Sequence, residues 1–335
     1  MERHYPGSSS FIRVAFSKRS FPEEAIQGIV SSVSESTMKH YDGWFKRWWV
    51  FCIEAHHDPW VYSLSHFINF LNKQAQSGKS FSAVNSCKAA LSFILPISST
   101  DEPLIKRYLK GIYNQNPPKP KYDTTWDPYP VLSFLEKLVP LDRLTLEQLS
   151  YKLVTLLALI SAHRVQTLSK IKIHNIIRFE DRLEILIPDR IKSSGKNRQQ
   201  PVLKIPFFLD KPELCLATCI LFYIEKTKSF REEGYDTLIL THKRPFHAAS
   251  SQTISRWIKH TLKMSGISTE QYSGHSVRHA ATSAANRGGV SVEEIRKRAG
   301  WTEKSATFNR FYNRPLAVPP DLFARGLLKG SNVNS

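Results

Sequence analysis

Gly274-His275-Ser276-Val277-Arg278-His279 opens a short C-terminal stretch that also contains Trp301 and Tyr312. His275 and Arg278 are three positions apart, so a helix turns both to one face, while His279, adjacent to Arg278, would face elsewhere. Far upstream, Ser161-Ala162-His163-Arg164 sets a second arginine at the end of an apolar segment. Two guanidiniums can hold the oxygens of one phosphodiester, because each is planar, permanently charged and able to bond two oxygens at once. A phenol activated by neighbouring cations can attack the phosphorus. An imidazole can take or return the proton near neutral pH. These residues form an inventory for cutting and rejoining DNA without a metal.

Outward from that stretch the pattern is helical. Residues 275–287 end at Gly288-Gly289, a stop signal. Ser291-Val292-Glu293-Glu294 is a capping box for a helix that stops at Gly300. A last helix should carry Phe308, Phe311 and Tyr312 on one side and end near Pro315. Upstream, helices are predicted at 131–138 and 146–161, the second with Leu149, Leu153, Leu156, Leu157 and Ile160 on one side. Strand-like segments follow at 171–179, 183–188 and 201–208, then helices at 215–228 and 250–265. The run Asp189-Arg190-Ile191-Lys192-Ser193-Ser194-Gly195-Lys196-Asn197-Arg198 reads as a basic hairpin turn. An ammonium there can protonate a leaving oxygen. Lys192 is preferred for its place nearer the strand, and Lys196 stays open. Trp301 can donate its indole N–H to a phosphate oxygen. The competing reading of Tyr312 is a core aromatic beside Phe308 and Phe311.

In the N-terminal third, Met38, Tyr41, Trp44, Phe45, Trp48, Trp49 and Cys52 recur at three- and four-residue steps. Further helices are predicted at 64–75, 82–95 and 103–113, with Lys106, Arg107 and Lys110 on the surface. Asn116-Pro117-Pro118-Lys119-Pro120-Lys121, followed by Pro128 and Pro130, breaks regular structure. The expected organisation is a loose, Ser-rich arm over 1–30, a helical DNA-binding domain over 31–118, a Pro-rich linker over 119–130, a catalytic domain over 131–315 and a tail over 316–335. The fold class is mainly α with a small antiparallel β-sheet.

The chain has 335 residues, and its 47 Lys+Arg against 29 Asp+Glu leave +18, spread along the length. Such a charge favours a polyanion as partner. Four cysteines, Cys52, Cys87, Cys215 and Cys219, are too few and scattered for a disulfide framework, and no Cys/His spacing completes a zinc site. The N-terminus lacks a signal-peptide core, and the longest apolar run, 153–160, is too short to cross a bilayer. No membrane role is expected.

Singly these signals are weak. In this order (arginine, basic hairpin, His-x-x-Arg, tryptophan, tyrosine) they are specific, and the chain resembles the tyrosine recombinases of the phage integrase family. More narrowly it is similar to the recombinases of DIRS-like and Crypton-like eukaryotic mobile elements. The residues that carry the likeness are Ala162-His163-Arg164-Val165-Gln166-Thr167-Leu168, Ser273 to Arg278, Ala299-Gly300-Trp301 and Phe308 to Pro315. The resemblance implies a helical core-binding (SAM-like) domain and a mixed α+β catalytic domain that clamp double-stranded DNA. It implies attack by Tyr312 to leave a 3′-phosphotyrosyl bond and a free 5′-hydroxyl. Arg164 and Arg278 would bind the phosphate, His275 and Trp301 assist, and Lys192 serve as general acid. No cofactor is implied, neither metal nor ATP. Homo-tetramers on paired DNA sites are implied as well, with 316–328 as a segment passed to a neighbour, and a nuclear location if the host is eukaryotic. Thr167 departs from the family where many relatives carry an acidic residue, Trp301 stands where a second histidine is common, and the interval from Trp301 to Tyr312 is longer than usual. Two other readings stand beside this one: a DNA-binding protein without catalysis, using 291 onward as a helix-turn-helix, and a type IB topoisomerase.

Overall fold

The computed structural model describes residues 4–117, 122–192, 194–195, 199–231, 234, 236–302, 305–316, 324–325 and 327–328. The chain divides into two compact units, Met1–Pro120 and Lys121–Ser335.

The first unit is helical: α1 Ser8–Ser17, α2 Glu23–Ser31, α3 Glu35–Glu54, α4 Leu64–Gln76, α5 Phe81–Ile94 and α6 Glu102–Gln115. Ser34 and Ser80 cap α3 and α5 by accepting from the amides of Thr37 and Ala83, each at 3.3 Å. The aromatic stripe of α3 is the centre of the core, with Phe45 and Trp48 fully buried and the Trp48 indole donating to the Pro59 carbonyl at 2.8 Å. The loose arm expected over 1–30 is a correction. Phe11, Ile12, Ala15 and Phe16 of α1 and Ile26 of α2 lie in that same core. Their helical spacing is real but sits among serines, which mask it in composition.

The second unit contains α7 Tyr129–Glu136, α8 Leu146–Ser161, α9 Val165–Leu168, strands β1 Ile176–Arg178, β2 Arg182–Leu186 and β3 Val202–Pro206, then α10 Leu216–Thr227, α11 Ser251–Met264, α12 Ser276–Arg287 and α13 Val292–Arg298. Helix α8 is its axle. A complete capping box at Thr145 and Gln148 starts it, and α10, α11 and α12 all pack against it. The sheet is antiparallel in the order β1-β2-β3. Leu183 pairs with Ile205 and Ile185 with Leu203, all buried, while Glu184 and Lys204 face outward as an ion pair of 3.7 Å. The first strand is shorter than expected, because Ile173–Asn175 forms a 3₁₀ turn and the Ile171 carbonyl accepts from Leu238 instead.

The linker expected over 119–130 is also corrected. Tyr122 and Trp126 are buried in the core of the second unit, and the Trp126 indole donates to Ser276 Oγ at 2.9 Å. The prolines break helix, as they must, but the aromatics between them anchor the strap. Cys215 and Cys219 are buried free thiols on the α10 side of this core. Among the described residues, no helix is long and apolar enough to cross a membrane.

Candidate active site

Each site residue is placed by a local rule. Gly274 lets α12 start hard against α11: a Cβ there would lie 2.6 Å from the Ser255 carbonyl oxygen. His275 then occupies the N-cap of α12 and is exposed, whereas Arg278, one turn on, is only 2% exposed. Helix α13 ends in a Schellman turn, with Trp301 N–H bonded to the Arg296 carbonyl at 2.8 Å and Gly300 N–H to Lys297 at 3.2 Å. Gly300 supplies the left-handed φ of 65° that this turn needs. The turn returns Trp301 over Arg278, whose guanidinium sits 4.5 Å from the indole centroid. It also bares the Ala299 carbonyl, which accepts from Arg278 Nη2 at 2.7 Å. Upstream, Ala162 adopts a left-handed φ of 52° after α8, and the reversal leaves Arg164, half-buried, at the start of α9.

Tyr312 does not sit on an α-helix. Phe308–Tyr312 is a π turn, closed by Asn313 N–H to the Phe308 carbonyl at 2.8 Å. The wider turn absorbs the extra length after Trp301 and changes the side-chain phase. Phe308 and Tyr312 point inward together, and Phe311, expected beside them, is 48% exposed. The ring of Tyr312 is buried, but its hydroxyl reaches the lip of the site, 3.4 Å from Nε2 of the exposed His275.

The structure thus joins His275, Arg278, Trp301 and Tyr312. The indole lies 4.8 Å and the Arg278 guanidinium 5.4 Å from the Tyr312 ring centroid. Arg164 belongs to the same electrostatic group, since its charge lowers the pKa of Arg278. Lys192 follows the buried Ile191 in a turn closed by Ser194 N–H to the Ile191 carbonyl at 2.9 Å, and it is exposed. No hydrogen bond or ion pair among the described residues ties it to the cluster, and Lys196 lies outside the described residues.

The electrostatics of the cluster are dominated by burial. Burial pushes Arg278 down to about 9, with Arg164 adding to the effect and Tyr312 opposing it, so the guanidinium keeps its charge at neutral pH. Among the described residues its Nε and Nη1 have no hydrogen-bond partner, nor does the buried indole N–H of Trp301. Among the described residues no carboxylate pairs with Arg278. Thr167, which stands where an acidic residue is common in the resembling family, is buried and uncharged.

Two histidines were not foreseen. His279 was expected to face away from Arg278. It stacks on Tyr312 instead, with centroids 4.1 Å apart and planes 16° from parallel. It stands four residues from His275, the step that returns a helix to the same stripe. Burial, with the nearby charge of His275 next, pushes its pKa down to about 4, so the ring is neutral. His163 is likewise pushed to about 4 by burial, with Arg278 and Arg164 adding to it, and its Nδ1 shares a hydrogen bond of 2.9 Å with the Ser161 carbonyl. Nothing in the Ser161–Arg164 string marks His163 as interior, because the helix has already ended there.

No curated protein matches the chain in sequence. Its fold does resemble solved structures. XerH site-specific recombinase, in a post-cleavage complex with palindromic difH substrate, is 13% identical with a TM-score of 0.56, over 98% of this chain and 84% of that one. A lambda integrase dimer bound to a COC' core site is 16% identical with a TM-score of 0.50, over 85% and 94%. The Tn1549 transposon integrase in complex with circular intermediate DNA is 15% identical with a TM-score of 0.50, over 80% and 85%. At such identities the likeness concerns the fold. Residues 135–317, more than half of the chain and the whole of the cluster above, match the phage integrase family by sequence, and to that family this chain belongs.

Proposed function

We propose that the protein is a site-specific DNA recombinase that cuts and rejoins strands through Tyr312. The Tyr312 oxygen bonds to the scissile phosphorus and its proton passes to His275. The 5′-oxygen leaves, taking a proton from Lys192, and a 3′-phosphotyrosyl bond holds the cut end. A 5′-hydroxyl from the same or a partner duplex reverses the step, so bond energy is conserved and no nucleotide is consumed. Arg164, Arg278 and the Trp301 N–H stabilise the charge that grows on the non-bridging oxygens. Double-stranded DNA is the partner, bound by a homo-tetramer on paired sites, and the narrower kinship to mobile-element recombinases belongs to this proposal.

One observation carries it: among the described residues the buried Arg278 guanidinium has no carboxylate partner and its Nε and Nη1 donors are unsatisfied, beside the phenol that would attack. A fold retains an uncompensated buried cation only at a cost, and phosphate is the ligand whose geometry answers it.

Nicked or suicide-substrate duplex DNA provides the test. A covalent protein–DNA adduct should form and should vanish in Tyr312→Phe while binding persists. Binding without any adduct would leave the non-catalytic reading. Relaxation of any supercoiled plasmid without site preference would favour the topoisomerase reading.

A further inference from the structure

His275, His279 and Ser283 follow one another at four-residue steps, so they form one stripe along α12. All three bear on the same residue. His275 meets the Tyr312 hydroxyl, His279 stacks on its ring, and the hydroxyl of Ser283 donates to its backbone carbonyl. The same Ser283 oxygen accepts from the Arg314 amide at 3.1 Å. One fully buried side chain therefore holds the main chain on both sides of Asn313.

That use of a serine is unusual for a helix interior, where the hydroxyl commonly turns back to the carbonyl four residues earlier. The neighbouring Thr282 does so, donating to the Arg278 carbonyl at 2.7 Å. Ser283 reaches outward instead, to the segment that carries Tyr312. The π turn is five residues long, and beyond it Pro315 is held through its carbonyl by the Thr125 amide at 2.8 Å. A nucleophile on so short a turn needs an external anchor, since misplacement by about 1 Å costs on the order of a hundredfold in rate.

We propose that Ser283 is the positioning residue of the nucleophile, clamping the backbone of Tyr312 to the helix that carries Arg278. The proposal rests on Tyr312 being the nucleophile. It separates two jobs on one helix: Arg278 activates the phosphate, and Ser283 sets the distance from which the phenol attacks.

The experiment uses the full chain with Ser283→Ala and two DNA substrates. On nicked duplex, single-turnover adduct formation should slow by about 10- to 100-fold, the effect of losing two backbone hydrogen bonds around the nucleophile, with DNA affinity unchanged. The second substrate carries a p-nitrophenyl ester on its 3′-phosphate. There a 5′-hydroxyl attacks phosphorus, p-nitrophenolate leaves, and the phosphate-binding residues act without Tyr312. Ser283→Ala should join this substrate at the rate of the unmodified chain. Adduct formation at an unchanged rate would overturn the clamp, and so would an equal loss on both substrates, which would mean general damage to the site. If the unmodified chain joins the activated strand but forms no adduct on nicked DNA, the nucleophile assignment itself fails, and the clamp with it.

Discussion

Replacing Arg278 with methionine should make the protein more stable and catalytically inert. The guanidinium is almost wholly buried and its pKa falls from 12.5 to about 9, chiefly through burial. At 1.36 kcal/mol per pKa unit, that displacement corresponds to a penalty on the order of 5 kcal/mol. Two contacts offset it. The bond from Nη2 to the Ala299 carbonyl contributes about 1.5–3 kcal/mol, and the contact with the Trp301 ring contributes about 0.5–2 kcal/mol. A flexible thioether fills much of the same space without a charge. The net gain is about 2 kcal/mol, or a rise of about 4–8 °C in Tm for a unit of this size. Cleavage should fall by at least about 10³-fold, because two N–H donors aimed at the phosphate disappear together. Differential scanning fluorimetry without DNA gives the first quantity and adduct formation gives the second. A lower Tm, or adduct formation within tenfold of the unmodified chain, would show that Arg278 serves the fold and not the phosphate.

Gly274→Ala should lower stability by about 1–3 kcal/mol and slow cleavage, since its Cβ would lie 2.6 Å from backbone in α11 and push α12 away; an unchanged Tm would refute the close approach. Acid should destabilise the fold through His163 and His279, whose folded pKa values near 4 lie below the ordinary 6.5. Their neutral burial is fully tolerated above pH 6.5, and stability drains as pH falls from 6.5 towards 4, by about 3 kcal/mol for each ring. His279→Phe keeps a ring against Tyr312 and removes one titration, so its melts between pH 7 and 4 should show a shallower fall; parallel curves would refute the assignment. Affinity for duplex DNA should drop steeply with salt, as for several phosphate contacts, and a flat response by fluorescence anisotropy would mean that the +18 charge plays no part in binding.

Sequence disclosed what depends on periodicity and capping. Helix α8 runs from Leu146 to Ser161, as its leucine spacing predicts, and Ser291 caps α13 by accepting from the Glu294 amide at 3.2 Å. It disclosed the convergence of Arg278, Trp301 and Tyr312 only through the order of motifs, because chain separation hides contact. What stayed hidden was decided by tertiary packing. The residues of α1 are buried only because α3 offers an aromatic face to cover them. The phase of Tyr312 follows from a π turn, which has no sequence signature of its own. The inward turn of His279 was legible in its four-residue step from His275 and was lost by reading neighbours along the chain instead of along the helix.

Several of the unsatisfied buried atoms of the second unit lie where the chemistry would take place. Among the described residues, His163 Nε2, Arg278 Nε and Nη1 and Trp301 Nε1 lack hydrogen-bond partners, and all belong to the elements around Arg278 and Tyr312. Others, such as Thr155 Oγ1, Asn175 Nδ2 and Arg231 Nε, lie elsewhere in the unit, where Lys152 and Thr227 are bonded to backbone carbonyls. A fold selected for stability alone would have placed a carboxylate at Thr167 or an apolar side chain at 278. Among the described residues no acid neutralises Arg278, on which Arg164 also acts. On the proposed function, DNA would do more than dock on a basic surface: its phosphate would complete the electrostatics of the interior. On this account binding of the scissile phosphate and stability are linked, so cognate DNA should raise the Tm of the unmodified chain by more than that of Arg278→Met at equal occupancy. Equal shifts would place the binding energy on the surface lysines and arginines alone and leave the buried cation unexplained.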